Sequence, residues 1–188
     1  MVTIDQLCCL DGLIWLQSGN AVGALTLQHQ TTVSRNQRKC ANTFGVDMLK
    51  RDGFWQIEGD CQLLRLERVV HQAARLKRGQ GLRLEASFGP ETVLSQDIAR
   101  AWTVGSSRRH KPDHFVTLLE ERVIEAWITS WNQVQRSSSS IVKISLTDDP
   151  EGMGLMVHRG LHQQPMIKRL VTCLVTEHHQ QPIRLQLP

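Results

Sequence analysis

The residues best suited to chemistry with a partner lie between His29 and Arg51. Small polar residues open this stretch, and it holds five Lys/Arg against one acid. Apolar residues at helical spacing predict a helix over residues 30–43 that buries one side, and Gly45 stands where a helix-ending glycine belongs. Such a helix fits a DNA groove, because short polar side chains reach base edges while cations hold phosphates. We expect base-edge contacts from Gln30, Thr31, Thr32 and Ser34, and phosphate contacts from Arg35, Arg38, Lys50 and Arg51.

Positive charge is concentrated in the first part of this chain of 188 residues, whose formal net charge is +4. Residues 1–80 hold ten Lys/Arg against seven acids, an excess of +3, and residues 81–188 hold twelve against eleven, an excess of +1. This asymmetry favours a polyanion as the partner of the first part. The composition, 40% hydrophobic and 21% charged, is typical of a globular protein.

Other kinds of site find little support in the sequence. Five cysteines, an odd number without metal-ligand spacing, favour a reducing cytoplasm, and the absence of a long apolar run gives no indication of a membrane. The histidines have no Cys or carboxylate at a supporting spacing, and neither a nucleophile elbow nor a phosphate loop is present. We therefore expect no metal, no cofactor and no enzymatic activity.

Two helices and a hairpin are predicted to position the basic helix. Helical spacing predicts helices over residues 3–17 and 21–28 ahead of it. The turn dipeptide Asp52-Gly53, with apolar residues on both sides, predicts a β-hairpin over residues 49–57. Three helices with a tight turn before the third are typical of a helix-turn-helix, and the hairpin would be its wing.

The longest helical pattern covers residues 60–78, with Asp60 as its N-cap and Gly79 after its end. Its apolar band is broader than a lone surface helix needs. The helix therefore either packs on its own domain or pairs with a second copy as a coiled coil. In the second case the contact residues are Leu63, Leu66, Val70 and Ala73.

The second half of the chain alternates between strand and helix patterns. Strands are predicted over residues 82–88, 115–119, 141–146 and 154–158. Helices are predicted over residues 90–102, 120–131 and 164–178. This alternation predicts a mixed α/β fold with a partly parallel sheet.

The basic stretch resembles the helix-turn-helix of LysR-type transcriptional regulators. The resemblance rests on VSR at 33–35, FGVDMLKR at 44–51 and Gln30, spaced as in that family without a gap. The sequence departs from the family pattern at Thr26, Cys40 and Ala41. In the family the following helix is the linker that makes the dimer, which favours the coiled-coil interpretation of residues 60–78.

The same resemblance extends to the second half of the chain. LRLEASFGPE at 82–91 and the segment 153–174 look like the first and last parts of the family's two-lobed, periplasmic-binding-protein-like effector domain. The resemblance implies a winged helix-turn-helix over 1–59, a linker and dimerisation helix over 60–80, and a reduced, single-lobe α/β domain over 81–188. Ser87 stands where the family can hold an anionic effector. With one lobe we expect no small-molecule control, because such ligands are normally enclosed.

Two functions follow from these patterns. The first is a dimeric, cytoplasmic, DNA-binding transcriptional regulator of the LysR type, with double-stranded DNA as its partner. The alternative is an interaction or oligomerisation protein that keeps the fold without binding DNA. The departures from the family pattern and the missing lobe favour this alternative.

Overall fold

The structure is a computed structural model that describes residues 2–86, 96–105, 111–149 and 152–180. The chain folds into two compact units, Met1–His71 and Gln72–Pro188. The unit boundary falls within one long helix, α4, which spans Gln62–Arg78. The fold class is mixed α/β, as the sequence predicted.

The first unit begins with three helices and a hairpin. Helix α1 spans Ile4–Leu16, α2 spans Gly19–Thr26 and α3 spans Gln30–Phe44. Strands β1, Asp47–Arg51, and β2, Phe54–Glu58, then pair antiparallel. These elements confirm the predicted helices and hairpin, and they follow one another in the order predicted for a helix-turn-helix with a wing.

Local sequence sets the ends of these helices. Thr3 forms a capping box with Gln6 at the start of α1, so two otherwise unpaired backbone donors are satisfied. The Ser18 side chain accepts from the Ala21 N–H at the start of α2. Gly45 adopts φ 64° after α3, the left-handed conformation that glycine takes without strain.

A small apolar core joins the three helices to the wing. Its buried members are Cys9, Leu13, Val22 and Val33, and the side chains of Met48 and Trp55 pack against them from the hairpin. The wing is therefore held partly by burial of apolar surface, which stabilises by roughly 25 cal/mol per Å².

Helix α4 buries polar residues and exposes apolar ones. In the first unit Leu64 and Arg68 are buried. The Arg68 Nε donates to Asp11 Oδ1 of α1 at 2.8 Å, and both side chains are almost fully buried. Because a buried charge without its partner is costly, this pair ties α4 to α1. The exposed apolar side chains of α4 are Leu63 at 65%, Leu66 at 59%, Val69 at 40% and Val70 at 63%.

The second unit contains a five-stranded mixed sheet in the order β4-β3-β5-β7-β6. Strand β3 pairs in parallel with β4 and β5, whereas β7 pairs antiparallel with β5 and β6. The described strands are β3 Leu82–Ala86, β4 Trp102–Gly105, β5 Ala126–Ser130, β6 Ile141–Ser145 and β7 Met153–His158. The described helices are α5 Gln96–Ala99, α6 Pro112–Glu120 and α7 Pro165–Gln180, with short 3-10 turns at Trp131–Gln133 and Arg159–Leu161. A partly parallel sheet was predicted and is confirmed.

Helices pack on the sheet of the second unit. The main apolar cluster contains Leu84, Ile128 and Leu155 from the sheet and Ile167 and Leu170 from α7. Phe115 of α6 contacts Trp127 of β5, with ring centroids 5.1 Å apart. Buried residues of α6 therefore pack on the central strand.

Three predicted elements of the second half are wrong. Residues 115–119 belong to helix α6 and not to a strand, and residues 126–130 of the predicted helix 120–131 form strand β5. Residue 102, the predicted end of the helix over 90–102, begins strand β4, which was not predicted. Short apolar runs do not distinguish a buried strand from a buried helix, which explains the exchange.

A buried charge network surrounds Glu125, just before β5. Arg75 of α4 donates to Glu125 Oε1 from Nε at 2.9 Å and from Nη2 at 2.6 Å. The backbone N–H of Arg83 donates to the second carboxylate oxygen, Oε2. The Arg83 Nη1 donates to the Val123 carbonyl oxygen at 2.9 Å. The second unit thus uses its buried arginines internally.

Candidate nucleic-acid interface

Helix α3 presents most of its polar residues to solvent and its apolar residues to the core. Val33, Cys40 and Ala41 are buried. The predicted contact residues Gln30, Thr31, Ser34, Arg35 and Arg38 are exposed, and Thr32 is half-buried. Lys39, which was not among them, is exposed as well. Among the described residues, no acidic side chain forms a salt bridge with Arg35, Arg38 or Lys39. This surface can therefore offer unpaired cations and short polar groups to an anion.

The first turn of α3 is ordered by its own side chains. The Thr31 N–H donates to His29 Nδ1 at 3.4 Å, and the Thr31 hydroxyl oxygen lies 3.0 Å from the same nitrogen. The Gln30 side chain lies against Gly19, since a Cβ added at Gly19 would be 3.2 Å from Gln30 Cγ and Nε2. Two of the predicted base-edge residues thus already have neighbours within the unit.

The turn between α2 and α3 depends on a close approach at Gly23. A Cβ at Gly23 would lie 2.6 Å from the carbonyl oxygen of Gln28, so only glycine fits. The Gln28 side-chain Oε1 accepts from Asn36 Nδ2 at 2.9 Å and from Cys9 Sγ at 3.6 Å. Gln28 therefore links the turn to both α1 and α3.

The wing places two predicted phosphate contacts on β1. Lys50 and Arg51 are both exposed. The Lys50 Nζ lies 5.9 Å from the centroid of the Trp55 ring, which faces it across the hairpin. Arg51 Nη2 lies 2.9 Å from Glu58 Oε1 and 3.0 Å from Glu58 Oε2. Arg51 thus has an internal counterion, whereas Lys50 has an aromatic neighbour.

Gln17 connects the wing to α1, which the sequence did not indicate. Gln17 follows α1 in a left-handed conformation, φ 57°. Its Nε2 donates to the carbonyl oxygens of Ile14 at 2.6 Å and Trp55 at 3.0 Å. Its Oε1 accepts from the Trp55 N–H. Residues 38 positions apart are involved, so no local pattern could have revealed this contact.

The two buried cysteines of the first unit, Cys9 and Cys40, have unreactive thiols. Burial, together with the nearby charge of Asp11, raises the pKa of the Cys40 thiol to about 12. Burial also raises the pKa of Cys9. Both thiols therefore stay protonated near neutral pH and pack as small apolar side chains.

The predicted dimerisation residues lie on the exposed side of α4. Leu63, Leu66 and Val70 are more than half exposed. Ala73, on the part of α4 within the second unit, is exposed too. An apolar face of this kind on a helix is available to a partner.

The described residues give no support for a metal site or a membrane-spanning helix, and they do not include the predicted anion contact. Ser87, the predicted anion contact, lies outside the described residues. Within the described part of the chain, no group of three or more His, Cys, Asp or Glu side chains is arranged to hold a metal ion. Nor does any described helix have the length and apolar character to cross a membrane.

Comparison with known proteins finds similarity among solved structures. No family model matches the sequence, and no curated protein matches it. A full-length OxyR variant from Pseudomonas aeruginosa is similar with a TM-score of 0.45 and 14% identity, over 78% of this chain and 55% of that chain. CrgA, a LysR-type transcriptional regulator from Neisseria meningitidis, has a TM-score of 0.36 and 15% identity, over 78% of this chain and 54% of that chain.

A third similar structure is CbnR, a LysR family transcriptional regulator, with a TM-score of 0.30 and 11% identity. It is matched over 76% of this chain and 54% of that chain. The chain spans about half the length of the first two structures matched.

Proposed function

We propose that this protein is a DNA-binding transcriptional regulator of the LysR type that acts as a dimer in the cytoplasm and has no enzymatic activity. The observation that carries the proposal is the division of α3 into two sides. Small polar and cationic residues occupy the exposed side, and the residues that anchor the helix occupy the buried side. Short polar groups at the start of such a helix suit base edges, and the cations suit phosphates.

The cations of this interface differ in whether an internal carboxylate competes with a phosphate for them. Arg35 and Arg38 have no salt-bridge partner among the described residues. Arg51 shares a carboxylate with Glu58, and a phosphate would compete with that carboxylate for the guanidinium. We therefore assign most of the electrostatic attraction to Arg35, Arg38 and Lys50, and less of it to Arg51.

A second copy of the chain is the proposed occupant of the exposed apolar face of α4. Leu63, Leu66, Val69 and Val70 lie on that face within about two turns of helix and Ala73 lies about one turn further on, which resembles half of a helix–helix seam. A dimer built on α4 would carry two copies of α3 and would favour a DNA site with two-fold symmetry. The seam residues are Leu63, Leu66, Val70 and Ala73.

We assign no small-molecule effector to the second unit. Its described residues form one five-stranded sheet with helices packed on it. A small ligand is normally enclosed over most of its surface, and a ligand shifts a conformational equilibrium only by its difference in affinity between two states. We propose that the second unit serves folding and contacts between copies.

The alternative function is that of an interaction protein that does not bind DNA. Two observations favour it. Gln30 packs on Gly19 and Arg51 pairs with Glu58, so two predicted contacts are already engaged within the unit. In this case the apolar face of α4 would be the functional surface, and α3 would only support the fold.

Salt-dependent DNA binding separates these two functions. Fluorescence anisotropy with labelled duplexes from a random pool should give an affinity that falls linearly in log–log form with salt. Replacing Arg35 and Arg38 together by Ala should reduce the slope by roughly 1.8, because each lost phosphate contact contributes about 0.9. The matched control is Lys168→Ala with Arg169→Ala, which removes the same charge from exposed positions of α7.

The expected result is a lower slope for the α3 variant and an unchanged slope for the α7 control. A parent protein that binds no duplex at low salt would favour the alternative function. Equal slopes for the parent and the α3 variant would remove α3 from the interface.

A further inference from the structure

We infer that Gln17 is a positioning residue for the DNA-binding wing, because its side-chain amide takes the place of a third β-strand beside β2. The inference rests on the proposed function, since the wing matters here as a carrier of phosphate contacts. It assigns to the end of α1 a part in DNA affinity, although Gln17 itself need not touch DNA.

The hairpin register leaves one side of Trp55 without a strand partner. Arg51 and Phe54 flank the two-residue turn at Asp52-Gly53, so they form the hydrogen-bonded pair that closes the hairpin. The next pair, Lys50 and Trp55, is then of the non-hydrogen-bonded kind. The N–H and C=O of Trp55 accordingly point away from β1.

Gln17 satisfies both of these backbone groups at once. Its Nε2 donates to the Trp55 carbonyl oxygen at 3.0 Å, and its Oε1 accepts from the Trp55 N–H. Two opposed bonds to a single residue are the pattern by which neighbouring antiparallel strands exchange hydrogen bonds. A third bond from Nε2 to the Ile14 carbonyl oxygen, at 2.6 Å, fixes the amide to the last turn of α1.

The hydrogen bonds between Gln17 and the Trp55 backbone affect Lys50 through Trp55. Side chains of a non-hydrogen-bonded pair lie close together, and the Lys50 Nζ is 5.9 Å from the Trp55 ring centroid. Trp55 also packs against the core cluster of the three helices. Fixing the backbone of Trp55 therefore fixes the position of the Lys50 cation within the unit that carries α3.

The test combines two variants of Gln17 with a double-mutant cycle. Gln17→Met keeps the length of the side chain without its hydrogen bonds. Gln17→Asn keeps an amide and tolerates the left-handed conformation, but it is one methylene too short to reach Trp55. Gln80→Ala, at an exposed glutamine of the second unit, is the control.

Amide hydrogen exchange in the free protein should show faster exchange at Trp55 in both Gln17 variants. In DNA binding, each variant should lower the salt slope by about 0.9, the equivalent of one phosphate contact. The same substitution made in a Lys50→Ala background should change the slope no further. A role confined to folding would lower affinity in both backgrounds and would leave the slope as it was.

The outcomes distinguish this inference from the proposed function. A parent without salt-dependent DNA binding would overturn the proposed function and the role of Gln17 with it. A parent that binds DNA, together with Gln17 variants whose slope equals that of the parent, would overturn the role of Gln17 alone. An additive effect of Gln17→Met and Lys50→Ala would show that Gln17 does not act through Lys50.

Discussion

Helices α3 and α4 distribute polar and apolar residues in opposite ways. Helix α3 buries Val33 and Cys40 and exposes its arginines. Helix α4 buries Arg68 and Arg75 and exposes leucines and valines. Both helices are amphipathic, but only α4 buries arginines and exposes large apolar side chains beside its exposed charged residues. Amphipathicity alone therefore does not determine which side of a helix packs against the rest of the protein.

The buried side of α4 is compatible with folding because its charges are paired. Asp11 accepts from Arg68 in the first unit, and Glu125 accepts from Arg75 in the second. Each pair replaces apolar burial by a charged hydrogen bond, which leaves the leucines of α4 free to face a partner. The exposed apolar face of α4 is thus accompanied by two desolvated ion pairs on its buried side.

The largest effect is expected from breaking the buried pair in the first unit. Arg68→Met would leave Asp11 buried without its cation and should lower the free energy of unfolding by roughly 3–5 kcal/mol. Urea unfolding followed by circular dichroism measures this change. The double variant Asp11→Leu with Arg68→Met should recover most of the loss. Lys77→Met, at an exposed position of α4, is the control.

A loss below about 1 kcal/mol for Arg68→Met would contradict this description of α4, because it would mean that Asp11 finds water or another donor.

The next effect concerns the exposed side of α4. Leu66→Asp with Val70→Asp should convert a dimer to a monomer, because unpaired charges in an apolar seam are costly. The monomer should remain folded, since both side chains are exposed in the single chain. Light scattering after gel filtration gives the mass. Gln62→Asp, which places a new acid at the start of the same helix, should leave the dimer intact. A parent that is monomeric at every concentration would show that α4 has no such partner.

The smallest effect concerns the buried side of α3. With the Cys40 pKa at about 12, roughly one thiol in ten thousand is ionised at pH 8, and the thiolate is the reactive form. Cys40 should therefore resist iodoacetamide in the folded protein and react after unfolding, while the half-buried Cys8 and Cys61 react sooner. Mass spectrometry of peptides measures the extent of iodoacetamide labelling at each cysteine. Rapid labelling of Cys40 under native conditions would mean that α3 opens from the core.

The first unit was largely predictable from its sequence because its signals are local. Thr3, Gly45 and Asp52-Gly53 mark the ends of helices and the turn of the hairpin within a few residues of the chain. The exposed residues of α3 followed from the same helical period. The partners of Arg51 and Gln30 were not foreseen, because they depend on side chains that the fold brings near.

The second unit was less predictable because its elements are buried on both faces. Ala126, Trp127 and Ile128 of β5 are all fully buried, so the strand lacks the alternation that marks a half-exposed strand. Pro112 at the first turn of α6 was a valid helix signal, but the apolar run from Phe115 to Leu119 was interpreted as a strand. The contacts of Asp11 with Arg68 and of Gln17 with Trp55 join distant positions and leave no trace in the local sequence.

The hairpin register also limits which insertions and deletions the wing can accept. Side chains of a strand alternate between two faces, so one residue added between Phe54 and Trp55 would turn the indole ring away from the core and its backbone groups away from Gln17. Lengthening both strands by two residues each between the turn and the pair Lys50–Trp55 would extend the tip and keep that pair non-hydrogen-bonded. Matched additions of two residues to both strands are therefore tolerated, whereas a single residue added to β2 reverses its two faces.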